Sequence, residues 1–600
     1  MIDLNPYQGT RRKMILSIDV GTTFSGMSYA FLDPGEVPKI EAVKRYPGQE
    51  DNAGHYRVPS VLYYHADGSV HFVGAKAMSN DVVMDPDYDE LTLSRWFKLH
   101  LRPDKCKIAE MNEQNIPPLP TGKTVVQVFA DFLRYMFKCA EDYITEHDPI
   151  MKLRWNSLKD TIELILTHPN GWEGLQESKM LEAAIMAGLV PDTPAGRDRV
   201  HFVTEGEAGL HYCVQNCFDS KGITPGEPIM VVDAGGGTVD ISSYVSKSTA
   251  PLTVQETSFP KCVMLGSVTV NMRAENLFRA RLQGSKYDDD ATIRDMVDDA
   301  FDKKVKPLFS NEPKRAYYFP TGTKDNNRAL NILRGSLTVT HDDMLSLFRP
   351  SLDGIVAAIK EQLKDTNTRK MPVYLIGGFS ANMWLYTNLT VALRQLGLSL
   401  YRPDSHASKA VADGAIMYYL KGDMVAYRIG AEYTLGTDVS VNFDPSNPEH
   451  VARKNSIQLG PNGLMLDNGF STILKKGTLV RHNQEFSETY CVRYNPMKEK
   501  HIITSDIIQY AGNKADPPSF VKPGSGDFKT LCSVKADISK APDVLIPGLL
   551  FPLPAKKIQI VLIRGASWRA EIRWVENGEE KRFVDRPITA LKLCCTHQLL

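Results

Sequence analysis

The sequence has no apolar run long enough to cross a bilayer. Its best stretch, 544–563, is broken by Pro547, Pro552, Pro554, Lys556 and Lys557, whereas a spanning helix needs about 20 unbroken apolar residues. It also lacks a charge excess of either sign. Seventy Lys+Arg stand against 71 Asp+Glu, a net charge of −1, so no overall field draws nucleic acid or anionic lipid to it. Cysteine is sparse and scattered, nine residues from Cys106 to the adjacent pair Cys594–Cys595. An odd count without short, even spacing argues against a secreted disulfide scaffold. Residues 1–14 contain no apolar segment of the kind a signal peptide needs. The expectation is a soluble cytoplasmic protein with neither nucleic acid nor membrane as partner. With 600 residues, 42% hydrophobic and 24% charged, the chain is neither disordered nor fibrous. It has room for several domains, since single cores rarely grow past about 250–300 residues.

What is present changes character along the chain. Up to about residue 425, short apolar runs alternate with helical stripes. Met14–Ile18, Ile162–Leu166, Ile229–Val232 and Val373–Ile376 have strand length. Val125, Val128, Phe129, Phe132, Met136, Ala140 and Tyr143 fall on one side of a helix over 125–144, and another helix is expected over about 173–189. Buried strands followed by helices predict α/β layers on a largely parallel sheet. Beyond 425 the stripes disappear. Trp568-Arg569-Ala570-Glu571-Ile572-Arg573-Trp574 alternates apolar and charged residues, predicting a half-buried strand in a β-rich region. Residues 510–528 read as a long, mobile loop.

Ile15-Leu16-Ser17-Ile18-Asp19-Val20-Gly21-Thr22-Thr23 is echoed by Met230-Val231-Val232-Asp233-Ala234-Gly235-Gly236-Gly237-Thr238. Each is an apolar strand, then Asp-x-Gly, then small or hydroxyl residues. Glycine lets a backbone approach a phosphate closely, and consecutive N–H groups with threonine hydroxyls donate to its oxygens. An aspartate belongs there if Mg²⁺ or its waters stand between it and the phosphates. One such turn reads equally as a hairpin; two suggest a duplicated fold with a ligand between the halves. Gly377-Gly378, after Val373–Ile376, is a third place where backbone can approach closely. Thr121-Gly122-Lys123-Thr124 is not a P-loop, because proline stands at 117 where glycine is required. His211, Cys213 and Cys217 lack a second ligand pair at zinc spacing, and His168 reads as structural. Lys303, Lys304 and Lys306 read as a solvated face.

The ordered segments ILSIDVGTTFSG, THPNGW, VTEGEAG, IMVVDAGGGTVD, VYLIGGFS and KAVADGAI resemble the ATPase domain of the 70-kDa heat-shock protein family, most closely its divergent 12-like branch. The resemblance covers roughly 14–422. It implies an α/β fold, a two-lobed, duplicated actin-like (ribonuclease H-like) ATPase domain over 14–424. A mainly β domain over 425–590 would follow, similar to a divergent peptide-binding sandwich, with an extension at 1–13 and a tail at 591–600. The implied cofactors are ATP or ADP with Mg²⁺. Asp19 and Asp233 would face the metal, and Gly21, Thr22, Thr23, Gly235, Gly236 and Gly237 the phosphates. Lys98, Glu205, Thr238 and Asp240 would position the attacking water. Gly266, Lys306, Gly377 and Gly378 would complete the nucleotide site, and Pro169 matches a proline that switches the lobes.

The departures are specific. After Gly377-Gly378 the family has Ser-Thr-Arg, here Phe379-Ser380-Ala381, so the arginine that stacks on adenine is missing. The join 421–436 lacks the family's leucine linker. No long helical lid is expected after about 590, and the terminal HQLL is not the acidic tail that co-chaperones bind. The resemblance implies polypeptide clients and nucleotide-exchange or J-domain-type co-factors as partners. The expected function is a slowly hydrolysing, chaperone-like ATPase. A non-hydrolysing, nucleotide-gated scaffold and, more remotely, a sugar or metabolite kinase of the same fold stay open.

Overall fold

The computed structural model describes residues 4–584 except 50–55, 80–81, 83–84, 86–89, 104–105, 107–110, 112–114, 147, 173, 218–222, 250, 313–315, 365–369, 404–406, 423, 430–432, 461–462, 482–483, 513, 515, 523, 525, 547–551, 565–567 and 577. The tail expected at 591–600 lies outside the described residues. The protein is mixed α/β. It divides into two compact units, Met1–Trp172 with Lys179–Val425, and Ala426–Leu600 with Glu173–Ser178.

Two sheets organise the first unit. The first contains β1 (Lys13–Asp19), β2 (Phe24–Leu32), the short β3 (Arg57–Pro59), β4 (Glu163–His168) and β5 (Val200–Thr204). β1 pairs antiparallel with β2 and parallel with β4, and β4 runs parallel to β5. The second contains β6 (Pro228–Ala234), β7 (Val239–Thr249), β8 (Pro372–Ile376) and the strand Ser399–Tyr401. β6 pairs antiparallel with β7 and parallel with β8. In each sheet the strand that ends in aspartate thus has a hairpin partner on one side and a parallel strand on the other.

The central strands are apolar throughout because both faces are covered. Met14, Leu16 and Ile18 of β1 pack with Val128, Phe129, Phe132 and Met136 of the helix α1 (Val125–Thr145). Ile15, on the opposite face, packs with Val411, Ala415 and Ile416 of the helix α3 (Ala410–Lys421). In the second sheet Ile229 and Val231 meet Leu210, Cys213 and Val214 of α2 (Glu205–Asn216). Met230 and Val232 meet Val270, Ala274 and Phe278 of the helix Ser267–Leu282. α2 and α3 lie against each other through small residues. A Cβ on Gly414 would collide with the Ala208 carbonyl, and one on Gly209 with Ile376. Side chains of ordinary size would force the layers apart.

Thr124 caps α1 in a capping box with Gln127, and Lys123 pairs with Asp131 at 2.9 Å, so the 121–124 segment is a helix start. No described helix is long and apolar enough to cross a membrane.

The second unit contains two five-stranded sheets among the described residues. Leu435, Leu474, Ile507 and Val534 of one share a core with Ile558, Ile560, Leu562, Ile572 and Trp574 of the other. Two expectations need correction. The described residues of 511–527 form no regular strand but are not a loose loop. Phe520 is buried, its ring lies 4.1 Å from the Arg453 guanidinium, and Phe470 N–H donates to the Ser519 carbonyl at 2.8 Å. The charges of 568–574 do not all face solvent either: Arg569 is exposed, but the other two are not. Glu571 and Arg573 are both buried. Arg573 donates to Glu571 at 2.8 Å and, in a two-pronged pair, to Glu485 at 2.7 and 2.8 Å, which satisfies both charges away from water.

Candidate functional site

The site forms where the aspartate-ending strands stop. Asp19 closes β1, Asp233 stands next to last in β6, and Asp240 faces Asp233 across the β6–β7 hairpin. The turn between them, Gly235-Gly236-Gly237-Thr238, is closed by Gly235 N–H donating to the Thr238 carbonyl at 2.9 Å. The first turn lies against the second. A Cβ on Gly236 would collide with the Thr23 hydroxyl, and one on Gly237 with the Thr22 hydroxyl. Both glycines are therefore required by close approach.

The cleft is lined by Asp19, Gly21, Thr22, Thr23, Phe24, Arg57, Lys98, Glu205, Asp233, Gly235, Gly236, Gly237, Thr238 and Val411. Lys98 comes from a short helix, Phe97–Leu101, whose preceding residue Trp96 holds a left-handed backbone at φ 56°. Its ammonium donates to Glu205 Oε1 at 2.6 Å, and the two side chains are only 4% and 10% exposed. Burial disfavours the charge on Lys98, but Glu205, Asp19 and Asp240 outweigh it and hold the ammonium above its ordinary value. Glu205 also occupies the first turn of α2, where the helix dipole favours a carboxylate.

The aspartates are held differently. Asp19 accepts the Thr167 hydroxyl at 2.8 Å, and its other oxygen lies 3.5 Å from Arg57 Nη2. Asp240 accepts the Asn170 backbone N–H at 2.6 Å, while its Oδ2 is buried without a hydrogen-bond partner among the described residues. Burial, then Glu205 and Asp19, push the Asp233 carboxyl up to about 8. Burial, Glu205 and Asp233 raise Asp240 as well. Crowded, poorly compensated carboxylates are what a cation relieves.

Gly377, in the turn after β8, has φ 84°, and a Cβ there would collide with Asp233 Oδ1 and the Ala234 carbonyl. Gly266 also packs on the glycine turn. Its N–H and those of Ser267 and Val268 donate to the carbonyls of Gly237, Gly235 and Gly236 at 3.2, 3.2 and 2.9 Å. These helix-start donors are spent on the turn. Lys306 is not a cleft residue. Its ammonium is held by Asn271 at 2.9 Å and by Asp302, with the side chain 12% exposed, so it belongs neither to a solvated face nor to the cleft lining. Sequence reasoning passes over Arg57, Thr167 and Asn170. The last two lie in the THPNGW segment, where their short polar side chains before a glycine were the available signal; Arg57 carries none.

The residues present fit a Mg²⁺–phosphate ligand. The orphaned Asp240 oxygen, the raised Asp233 and the side-chain-free turn are all consistent with one. Among the described residues no three His, Cys, Asp or Glu side chains form a metal cage. Mg²⁺ takes one or two carboxylates and fills the rest of its shell with water and phosphate oxygens.

No family model matches the chain. Over 512 residues it is 22% identical to human heat shock 70 kDa protein 12B, an alignment covering 72% of each protein. Its curated homologues are heat shock 70 kDa proteins 12A and 12B. The similarity to 12A is shorter: 25% identity over 209 residues with the mouse protein and 24% over 209 with the human one, each spanning 33% of this chain and 28% of the relative.

Proposed function

We propose that the chain binds ATP with Mg²⁺ in this cleft and hydrolyses it slowly, as a chaperone-like cytoplasmic member of the divergent 70-kDa heat-shock branch. The observation that carries the reading is the meeting of two Asp-x-Gly turns, with Thr22 and Thr23 against Gly237 and Gly236. The matched pairing of β1 and β6, each with one antiparallel and one parallel neighbour, supports a duplicated, two-lobed actin-like domain. The space in the cleft is about 30 Å³, room for a water or two.

Mg²⁺, held through Asp19 and Asp233, would neutralise phosphate charge. The chain's own residues do the positioning on which phosphoryl transfer depends. Threonine hydroxyls and glycine N–H groups of both turns donate to phosphate oxygens. Lys98, fixed by Glu205, and Thr238 orient the attacking water. Asp240 Oδ2, which lacks a partner among the described residues, accepts a hydrogen bond from that water. Movement of the turns is the event through which polypeptide clients and co-factors would be served by the β-rich unit. Single-turnover hydrolysis by wild type, Lys98→Ala and Asp233→Asn tests this. Slow cleavage by wild type, lost in both variants, is expected. Binding without cleavage would instead favour the nucleotide-gated scaffold.

A further inference from the structure

Arg57 is the cleft residue that the nucleotide reading leaves without a task. It sits on β3, and its side chain is 17% exposed. Its Nε–H donates to the Ser408 carbonyl, which fixes the plane of the guanidinium. Its Nη groups have no hydrogen bond among the described residues. The nearest charge, Asp19 Oδ2, is 3.5 Å away, too long for a strong hydrogen bond. A guanidinium carries five N–H donors in a rigid fork, and at Arg57 the Nη donors stay available at the edge of the cleft.

The position of this fork is specific. It borders Asp19 and lies beside the Gly377-Gly378 turn, where a Cβ on Gly378 would come within 3.4 Å of Nη1. The other lining cation, Lys98, is held by Glu205. Beyond that turn the described residues nearest to it offer no substitute. Phe379 is buried in the core, and Arg402 donates to the Ser380 carbonyl at 2.9 Å and stacks on Tyr386 at 4.3 Å. A polyanion entering a cleft that holds Asp19, Glu205 and Asp233 needs positive charge besides a metal. A planar guanidinium is suited to two-pronged recognition of phosphate.

We propose that Arg57 is a phosphate ligand of the nucleotide, its free Nη groups donating to the phosphate chain beside Asp19. The assignment rests on the nucleotide reading of the cleft. It places part of the affinity on the phosphates, in a chain without an arginine after Gly377-Gly378 to stack on the base.

The experiment is calorimetric titration of the full chain with ATP, ADP and adenosine in Mg²⁺ buffer, for wild type, Arg57→Ala and Arg57→Lys. Arg57→Ala is expected to weaken ATP and ADP at least about tenfold, the loss of one or two charge-assisted hydrogen bonds, while adenosine binding is unchanged. Arg57→Lys, which keeps the charge and the stem but not the fork, is expected to fall between, and it decides the question if the alanine variant does not fold. ATP and ADP affinities equal to wild type in a folded variant would overturn the assignment and leave the nucleotide reading intact. Equal weakening of adenosine and ATP would overturn it too, since that is the mark of a structural role. Failure of wild type itself to bind ATP or ADP would overturn both readings.

Discussion

Replacing Lys98 by methionine isolates the strongest electrostatic contact of the cleft. The ammonium and Glu205 Oε1 are 2.6 Å apart, and both groups are buried. At an effective dielectric constant of about 20 the attraction at that distance is roughly 6 kcal/mol, much of it offset by desolvation. Methionine keeps the stem's packing but leaves Glu205 uncompensated beside Asp233 and Asp240. Removing one partner of a buried pair costs about 3–5 kcal/mol, and that is the expected loss for Lys98→Met. Glu205→Gln alone strands the ammonium less severely, because Asp19 and Asp240 also stabilise its charge. In Lys98→Met/Glu205→Gln both charges are gone, and most of the loss should be recovered. Urea unfolding, followed by fluorescence, measures the cycle; Trp96, Trp155, Trp172 and Trp384 report on the first unit. A cost below about 1 kcal/mol for Lys98→Met, or a coupling near zero, would refute the reasoning, since exposed pairs behave that way.

Three further outcomes follow from packing and charge. Gly414→Ala should lower the thermal midpoint of the first unit, because the new Cβ meets the Ala208 carbonyl where α2 and α3 touch; overpacking of this kind costs about 1–3 kcal/mol. Gly377→Ala should destabilise by at least about 1 kcal/mol through its left-handed backbone alone. Because its Cβ is aimed at Asp233 it should also abolish Mg²⁺-dependent nucleotide binding, measured by titration. In the second unit, Arg573 holds the Glu485 carboxyl below its ordinary range. A carboxylate with a depressed folded value adds stability above its unfolded pKa and loses it as pH falls through the folded one. Glu485→Gln should therefore lower stability at pH 7 and flatten its decline on acidification below about pH 4.5, which unfolding curves at several pH values will show.

The sequence was readable wherever a motif is local. β1, β6 and β8 are visible as apolar runs ending in aspartate or glycine, because both their faces are buried and the turn chemistry follows at once. α1 is visible because its apolar side repeats at helical spacing. Roles created by distant chain segments were not readable. Arg57 reaches Asp19 across 38 positions of sequence, and Asn170 reaches Asp240 across 70; nothing at Arg57 marks its contact, and Asn170 offers only a short polar side chain before a glycine. Alternation over 568–574 identifies the inward face correctly, but the pattern contains no sign that Arg573 on the other face is buried between Glu571 and Glu485. Lys306 reads as a solvated charge because its neighbours in sequence are lysines. Its environment is set instead by Asn271, 35 residues away.

The central claim is that the two glycine turns jointly hold a Mg²⁺–nucleotide. Calorimetric titration of ATP into wild type, Thr22→Val and Thr23→Val, with and without Mg²⁺, tests it most directly, because valine keeps the shape of each side chain and puts a methyl in place of the hydroxyl. The account predicts one Mg²⁺-dependent ATP site per chain, weakened by either substitution at an unchanged thermal midpoint. ATP binding that is independent of Mg²⁺ and indifferent to both substitutions, or no binding by wild type, would contradict it.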